Sequence, residues 1–158
     1  MMQMRLLVFL VGLLLPILAS CSSPPGRYQR AIIQSRDGVP CFTVPNTRET
    51  RAHSPLIAGI SVTEVGTSGV VIWERIFLQE GNVEPVLSPD QCLLYGGGGG
   101  AAPVLQAGKR YSVEMSGFTS GNAGEAQKRV FSTCFYMTDV DGKGIAKPVV
   151  TDCASAVK

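Results

Sequence analysis

Apolar and polar residues alternate along much of the chain in short runs bounded by turn residues. In Leu56 to Val65, Ile60 and Val62 fall on one face of a strand with polar residues on the other, a period typical of a half-buried β-strand. A turn at residues 66–69 leads into a second run, Val70 to Gln79, and the two form a predicted hairpin. The second run has apolar residues on both faces, which predicts a central strand covered on both sides.

Shorter runs of the same kind predict further strands at Val39–Val44, Val83–Leu87, Gln91–Tyr95, Lys128–Thr138 and Ile145–Thr151. The segments between strands are rich in glycine and polar residues, as expected of loops. They include residues 48–53, the glycine run at 96–100, predicted to be floppy, and the polar segment at 117–124. No long window has the period of an amphipathic helix. The chain is therefore predicted to be all-β.

One stretch indicates how the strands are arranged. Leu105 is followed three residues later by Gly108 and three later again by Tyr111, after which alternation resumes. This spacing resembles the tyrosine corner of Greek-key sandwiches, in which the tyrosine hydroxyl bonds to the backbone just upstream. Tyr111, Val113 and Met115 are then predicted to point into the core. We predict an immunoglobulin-like or fibronectin-like β-sandwich, with a small closed β-barrel as the alternative.

The first twenty residues have the pattern of an export signal. Arg5 provides a positive start, and Leu6 to Leu15 is an apolar run too short to span a bilayer, which takes roughly 20 residues. Leu18-Ala19-Ser20-Cys21 then matches a lipobox, in which small residues precede the cysteine that carries the lipid. Ser22 predicts sorting to the outer membrane rather than retention at the inner membrane. The chain is thus predicted to be a lipoprotein held in the periplasm by acyl chains such as palmitate.

The predicted organisation has three parts: a signal peptide at 1–20, the lipidated Cys21 with a flexible tether to residue 30, and one domain at 31–158. Arg5 is one of 14 basic residues and leaves with the signal, so the mature chain, with 12 acidic residues, is close to neutral. Neither this balance nor the compartment favours a nucleic-acid partner.

Lipidation of Cys21 leaves Cys41, Cys92, Cys134 and Cys153, an even set in an oxidising compartment. Two disulfides are therefore predicted, and three pairings are possible. We favour Cys41–Cys92 and Cys134–Cys153, because the second pair flanks a predicted hairpin turn at residues 141–144. Free buried thiols are the alternative. A zinc site is disfavoured because no cysteine pair has zinc-ligand spacing.

The sequence contains no catalytic constellation, so the protein is not expected to be an enzyme, and neither a cofactor nor a metal is predicted. His53 is the only histidine and lies in a polar stretch. No Gly-x-Ser-x-Gly elbow is present, and the cysteines are expected to be oxidised. Binding is the remaining class of function, and loops between strands are its usual location. The candidate binding residues are Arg48, Arg51, His53 and Phe118.

The order of motifs resembles the type VI secretion immunity lipoproteins found in the periplasm of enteric bacteria. The resemblance rests on the lipobox, Val39 to Val44, Ile60 to Val62, the strand that contains Trp73, Ser88 to Leu93, and Leu105 to Val113. It covers most of the mature domain. The glycine run and the Cys134/Cys153 pair look like additions to the pattern.

This resemblance implies a periplasmic protein that binds a toxic effector and blocks it sterically. Two alternatives remain open. One is a structural or assembly lipoprotein of an envelope complex. The other is a lipoprotein similar to lysozyme inhibitors, which also use small disulfide-bonded β folds.

Overall fold

The computed structural model describes residues 26–66, 69–78, 85–98, 101–120, 124–140 and 145–153. The predicted signal peptide, Cys21 and the predicted turn at 141–144 lie outside these residues. In chain order the described elements are β1 Tyr28–Arg30, β2 Ile32–Arg36, β3 Val39–Thr43, α1 Arg48–Ala52, β4 Leu56–Glu64, β5 Val71–Ile76, β6 Leu93–Leu94, β7 Arg110–Ser120, β8 Ala126–Val140 and β9 Ile145–Thr151.

The strands form two sheets. The larger sheet has the order β1-β8-β7-β4-β5, with β9 also paired to β8, and the smaller has the order β2-β3-β6. Because β7 occupies one edge of β8, β1 and β9 share the other: β1 runs parallel to residues 130–132 and β9 antiparallel to residues 134–140. The predicted all-β sandwich is confirmed, and the described strands do not close into the alternative barrel.

The alternation of β7 determines which of its faces is buried. Tyr111, Val113 and Met115 are each at most 2% exposed, and the polar residues between them face outward, as predicted. Across the core, Phe42 of the smaller sheet contacts Phe135 of the larger sheet, with ring centroids 5.8 Å apart. Burial of such side chains stabilises the fold by roughly 1.5–3 kcal/mol each. The core therefore lies between the two sheets.

The predicted tyrosine corner is present. The backbone N–H of Gln106 donates to the hydroxyl of Tyr111 at 2.8 Å, and Leu105 is buried beside it. A crossing between the sheets occurs at Ala31, which is buried and donates its N–H to the carbonyl of Ser132 in β8. At Ala31 the chain leaves the larger sheet and enters the smaller one.

The two disulfides join Cys41 to Cys92 and Cys134 to Cys153, with Cα–Cα distances of 5.5 and 5.1 Å. Both pairings are the predicted ones. The first links β3 to the residue just before β6, and the second links β8 to the residues that follow β9. Disulfides of this kind are consistent with an oxidising, non-cytoplasmic compartment such as the periplasm.

Three predictions about strands need correction. The strand within Val70–Gln79 is not central: β5 ends the larger sheet in the described residues, and only Trp73 and Phe77 on one face are buried. Of its other apolar residues, Ile72 is partly buried, and the rest are exposed: Val70, Val71, Ile76 and Leu78. The predicted Val83–Leu87 strand is reduced in its described part to a bridge between Val86 and Leu56. The predicted Gln91–Tyr95 strand is reduced to the two residues of β6.

The predicted tether, which extends to residue 30, also includes residues that belong to a strand. Residues 28–30 form β1, because the edge of β8 opposite β7 is available for pairing at residues 130–132. Likewise, the predicted polar loop at 117–124 begins too early. Strand β7 continues through Ser120, since its backbone pairs with β8 as far as Ala126. Phe118 is therefore a strand residue.

Candidate functional site

Residues 48–53 were predicted as a loop, but the structure places a short helix there. Thr47 and Thr50 form a capping box: the N–H of Thr50 donates to Oγ1 of Thr47 at 3.2 Å, and the N–H of Thr47 donates to Oγ1 of Thr50 at 3.0 Å. Such reciprocal bonds satisfy backbone donors that a helix otherwise leaves open. The side chain of Thr50 is buried and also donates to the carbonyl of Pro45. The capping pair thus decides the local structure, despite the lack of helical periodicity.

Glu49 attaches α1 to the larger sheet. Its Oε1 accepts from Nε of Arg129 at 2.8 Å, and its Oε2 accepts from the Gln29 side chain at 2.9 Å. The Arg129 side chain is only 11% exposed and that of Glu49 32%, so the ion pair is partly shielded from water. One carboxylate therefore joins α1 to both β8 and β1.

The four predicted binding residues come to this same end of the sandwich. Arg48 and Arg51 lie on α1 and His53 is its C-cap, and all three are exposed. Phe118 pairs with Leu56, close after the helix, and is 37% exposed. We call this region the basic end and define it by Arg27, Tyr28, Arg48, Arg51, Phe118, Lys128 and Arg129.

Sequence reasoning missed Arg27, Tyr28, Lys128 and Arg129. Arg27 and Lys128 line a shallow pocket of ≈ 410 Å³ together with Gln127 and Arg129. Tyr28 is 70% exposed, and the Arg27 guanidinium lies 5.6 Å from its ring centroid. Only the parallel register of β1 on β8 brings these residues together, and no local pattern encodes that register.

A second surface lies at the opposite end of β8. It is a mostly apolar cavity of ≈ 380 Å³, within the size range of small binding sites. We call it the apolar pocket. It is lined by Gly38, Val39, Pro40, Tyr95, Gly96, Ala102, Pro103, Val104, Leu105 and Met137. From Arg129 at the basic end to Met137, β8 spans about 26 Å at about 3.3 Å per residue.

Tyr95 holds two walls of the pocket together. Its backbone N–H donates to the carbonyl of Pro40 at 2.9 Å, and its hydroxyl donates to the carbonyl of Pro103 at 2.8 Å. Its ring packs edge-on against Trp73, with centroids 5.2 Å apart. Partial burial, with a smaller contribution from Tyr111, raises the pKa of Tyr95 to about 12. The hydroxyl therefore stays protonated at neutral pH and remains a donor.

The described part of the glycine run, Gly96 to Gly98, is a turn packed against Arg75 rather than a floppy loop. Nη1 of Arg75 donates to the carbonyl of Gly97 at 3.2 Å. A Cβ atom at Gly98 would overlap the Arg75 guanidinium, and its φ of +94° is one that other residues rarely adopt. Glycine is therefore favoured at position 98. The turn forms one side of the apolar pocket through Gly96.

Val104 is the most exposed apolar side chain near the pocket, at 90%. Val39 and Leu94 are also partly exposed there, at 37% and 42%. Apolar side chains around a concave site are typical of a surface that is covered by a partner. Backbone contacts and the Cys41–Cys92 disulfide make this surface rigid, which reduces the entropy lost on binding.

Among the residues that the structure describes, no three of His, Cys, Asp and Glu come close enough together to hold a metal ion. The described helix is too short and too polar to cross a membrane. The two surfaces differ in chemistry: one is cationic and aromatic, and the other is mostly apolar.

Comparison with known proteins identifies no relative. No family model matches the chain, and neither a characterised protein nor a solved structure matches it. The resemblance to immunity lipoproteins therefore remains a hypothesis that rests on the motifs of the chain itself.

Proposed function

We propose that this protein is a lipid-anchored lipoprotein of the periplasmic face of the outer membrane that binds a type VI secreted toxic effector and blocks it. The apolar pocket is the observation that carries this proposal. It lies at the end of the sandwich remote from β1, and hence away from the predicted anchor at Cys21. A partner that arrives in the periplasm can reach this end.

The proposed mechanism is steric occlusion rather than catalysis. A rigid pocket accepts an apolar side chain of the effector, while the exposed Val104 packs against the surface around it. Tight inhibitor complexes bury roughly 1,600 Å² in total, so the pocket would be the centre of a larger contact. Buried aromatic or aliphatic anchors usually contribute most of the binding energy in such contacts.

The partner test is co-purification from periplasmic extract, with a soluble bait that starts at Ser22. Residues 26–153 contain the described core and both disulfides, so this bait keeps them. Val104→Asp should weaken effector capture by about 10-fold to 100-fold, because it places a charge at an apolar contact. Val70→Asp is the matched control: Val70 is 54% exposed and lies outside the pocket lining.

Loss of protection against rival cells in a deletion strain, restored by the wild-type gene and not by Val104→Asp, would support the immunity role. Unchanged killing after deletion would contradict it. Inhibition of a lysozyme, or capture of an envelope assembly complex, would instead favour one of the two alternative roles.

The anchor is tested separately. Metabolic labelling with palmitate should mark the wild-type protein and leave Cys21→Ser unlabelled. Labelled protein in the outer-membrane fraction would support sorting by Ser22. Labelling that persists in Cys21→Ser would contradict the proposed anchor.

A further inference from the structure

We infer that the basic end is a membrane-docking face, which binds anionic phospholipid headgroups of the leaflet that holds the anchor. This inference rests on the lipid anchor of the proposed function and adds to it an orientation of the domain. Its occupant is a lipid surface, whereas the apolar pocket at the other end faces the periplasm.

The basic end carries a local excess of positive charge. The mature chain is close to neutral, yet the basic end brings together four exposed basic side chains, at positions 27, 48, 51 and 128, against the exposed acidic Glu125, while the largely buried Arg129 is paired with Glu49. In the described part of the chain, no carboxylate lies within ion-pair distance of Arg27, Arg48 or Lys128. Such clusters of lysine and arginine attract anionic lipid surfaces.

Two exposed aromatic residues also belong to the basic end. Phe118 of β7 pairs directly with Lys128 of β8, and Tyr28 of β1 pairs with Val130, two residues further on. Paired residues share a face of the sheet, as do residues two apart along a strand. Tyr28, Phe118 and Lys128 therefore lie on one outer face. Aromatic rings beside basic side chains are typical of membrane–water interfaces.

The chain between the predicted lipid on Cys21 and the domain is short. Cys21 precedes Arg27 by six residues, which reach at most about 20 Å when fully extended. Arg27 starts the ordered basic end, directly before β1. A lipid on Cys21 would thus keep this end within about 20 Å of the headgroups, whichever way the domain turns. At physiological ionic strength the screening length is about 8 Å, so attraction acts only on side chains close to the surface, and a short tether favours those of this end.

The test uses the mature chain from Ser22, without lipid, and vesicles of phosphatidylcholine with or without 30% phosphatidylglycerol, an amount on the order of that in anionic membranes. We expect binding to the anionic vesicles and its loss at high salt. Each basic side chain near such a surface contributes about fivefold in partitioning. Arg27→Glu with Lys128→Glu should therefore lower partitioning by about 30-fold or more.

The matched control is Arg36→Glu with Lys147→Glu, which makes the same charge change at exposed positions toward the other end of the sandwich. It should lower partitioning by much less. Equal losses in the two double variants would overturn the inference, because the effect would then follow net charge alone. Absence of binding by the wild-type chain would overturn it as well.

A fluorescent reporter tests the orientation. Tyr28→Trp should shift its emission to shorter wavelength on anionic vesicles, while Val104→Trp at the apolar pocket should not; both variants keep the native Trp73 as a common background. Equal shifts at the two positions, or a shift at Val104 alone, would overturn the orientation.

These measurements involve no effector, so their failure would leave the partner test of the proposed function unaffected. Conversely, failure to capture an effector would leave the vesicle results standing.

Discussion

The two ends of this sandwich are built in different ways, although the same strand, β8, connects them. At the apolar pocket, the walls are held by a disulfide, by hydrogen bonds from the backbone N–H and the hydroxyl of Tyr95, and by a glycine turn packed on Arg75. At the basic end, a helix of five residues is held by its own capping box and by one carboxylate, Glu49. The comparison shows that a rigid apolar surface and an adaptable polar one can share a single core.

The difference matters for what each end can recognise. A preorganised pocket loses little conformational entropy on binding and is selective for shape. Exposed arginine and lysine side chains remain mobile and recognise charge at many positions, as a lipid surface requires. Four changes to the chain test this contrast.

Removal of the disulfide beside the pocket should have the largest effect. Cys41→Ser with Cys92→Ser opens a loop with a sequence separation of 51, which lowers the free energy of unfolding by about 4 kcal/mol in the loop-entropy model. Cys134→Ser with Cys153→Ser, with a separation of 19, should cost about 3 kcal/mol. Urea denaturation measures both. Effector binding is measured without urea, where the variants are still folded. It should fall in the first variant and persist in the second.

Replacement of Gly98 should destabilise the wall of the apolar pocket that the glycine turn forms. Gly98→Ala imposes a left-handed conformation on alanine, at a cost of about 1 to 2 kcal/mol, and also displaces the Arg75 guanidinium. Gly108→Ala is the control, since its φ is +76° with no atom within 4 Å of the added Cβ. Thermal unfolding should show the larger loss in Gly98→Ala. Equal losses would mean that the contact with Arg75 does not contribute.

The ion pair at the basic end should contribute less. Glu49→Gln keeps the side-chain shape and removes the charge opposite Arg129, and should lower the free energy of unfolding by about 1 kcal/mol. It should also strengthen binding to anionic vesicles, because an acidic group leaves the basic end. Glu64→Gln, which affects the exposed pair with Lys109, is the comparison and should change both quantities less. Weaker vesicle binding by Glu49→Gln would contradict the charge argument.

The smallest effect concerns the ionisation of Tyr95. Its pKa is raised from 10.0 to about 12 in the folded protein, so the unfolded chain releases this proton first as the pH rises. The stabilisation is fully present below pH 10 and is lost between pH 10 and about 12. Tyr95→Phe should therefore show a shallower fall in stability than the wild type over this range. Parallel curves would show that the ionisation of Tyr95 is not linked to folding.

Several features could be predicted from local sequence because local physical chemistry decides them. The alternation of β7 determines its buried face, and the spacing from Leu105 to Tyr111 predicts a hydroxyl bond that the structure contains. The pairing of the four cysteines also agreed with prediction, since the strands on either side of a predicted turn bring Cys134 and Cys153 together. An all-β sandwich with two disulfides follows from these patterns.

Other features depended on residues far apart in the chain. Nothing around Tyr28 indicates a strand, because β1 exists only where β8 leaves an edge free. Phe118 looked like a loop residue for the same reason: its strand is extended by pairing with β8. Similarly, β5 has apolar residues on both faces, and its place at the end of the described sheet was decided by the order of pairing rather than by its own sequence.

Periodicity and cysteine count were thus enough to predict the class of fold, the buried faces of β4 and β7 and the covalent cross-links. Only the tertiary structure decided which residues form the two candidate surfaces. Arg27 and Lys128 meet through a parallel register, and Tyr95 reaches Pro40 and Pro103 across three separate segments. Long-range pairing of backbone groups brings such residues together, and no pattern in the local sequence around them indicates this pairing.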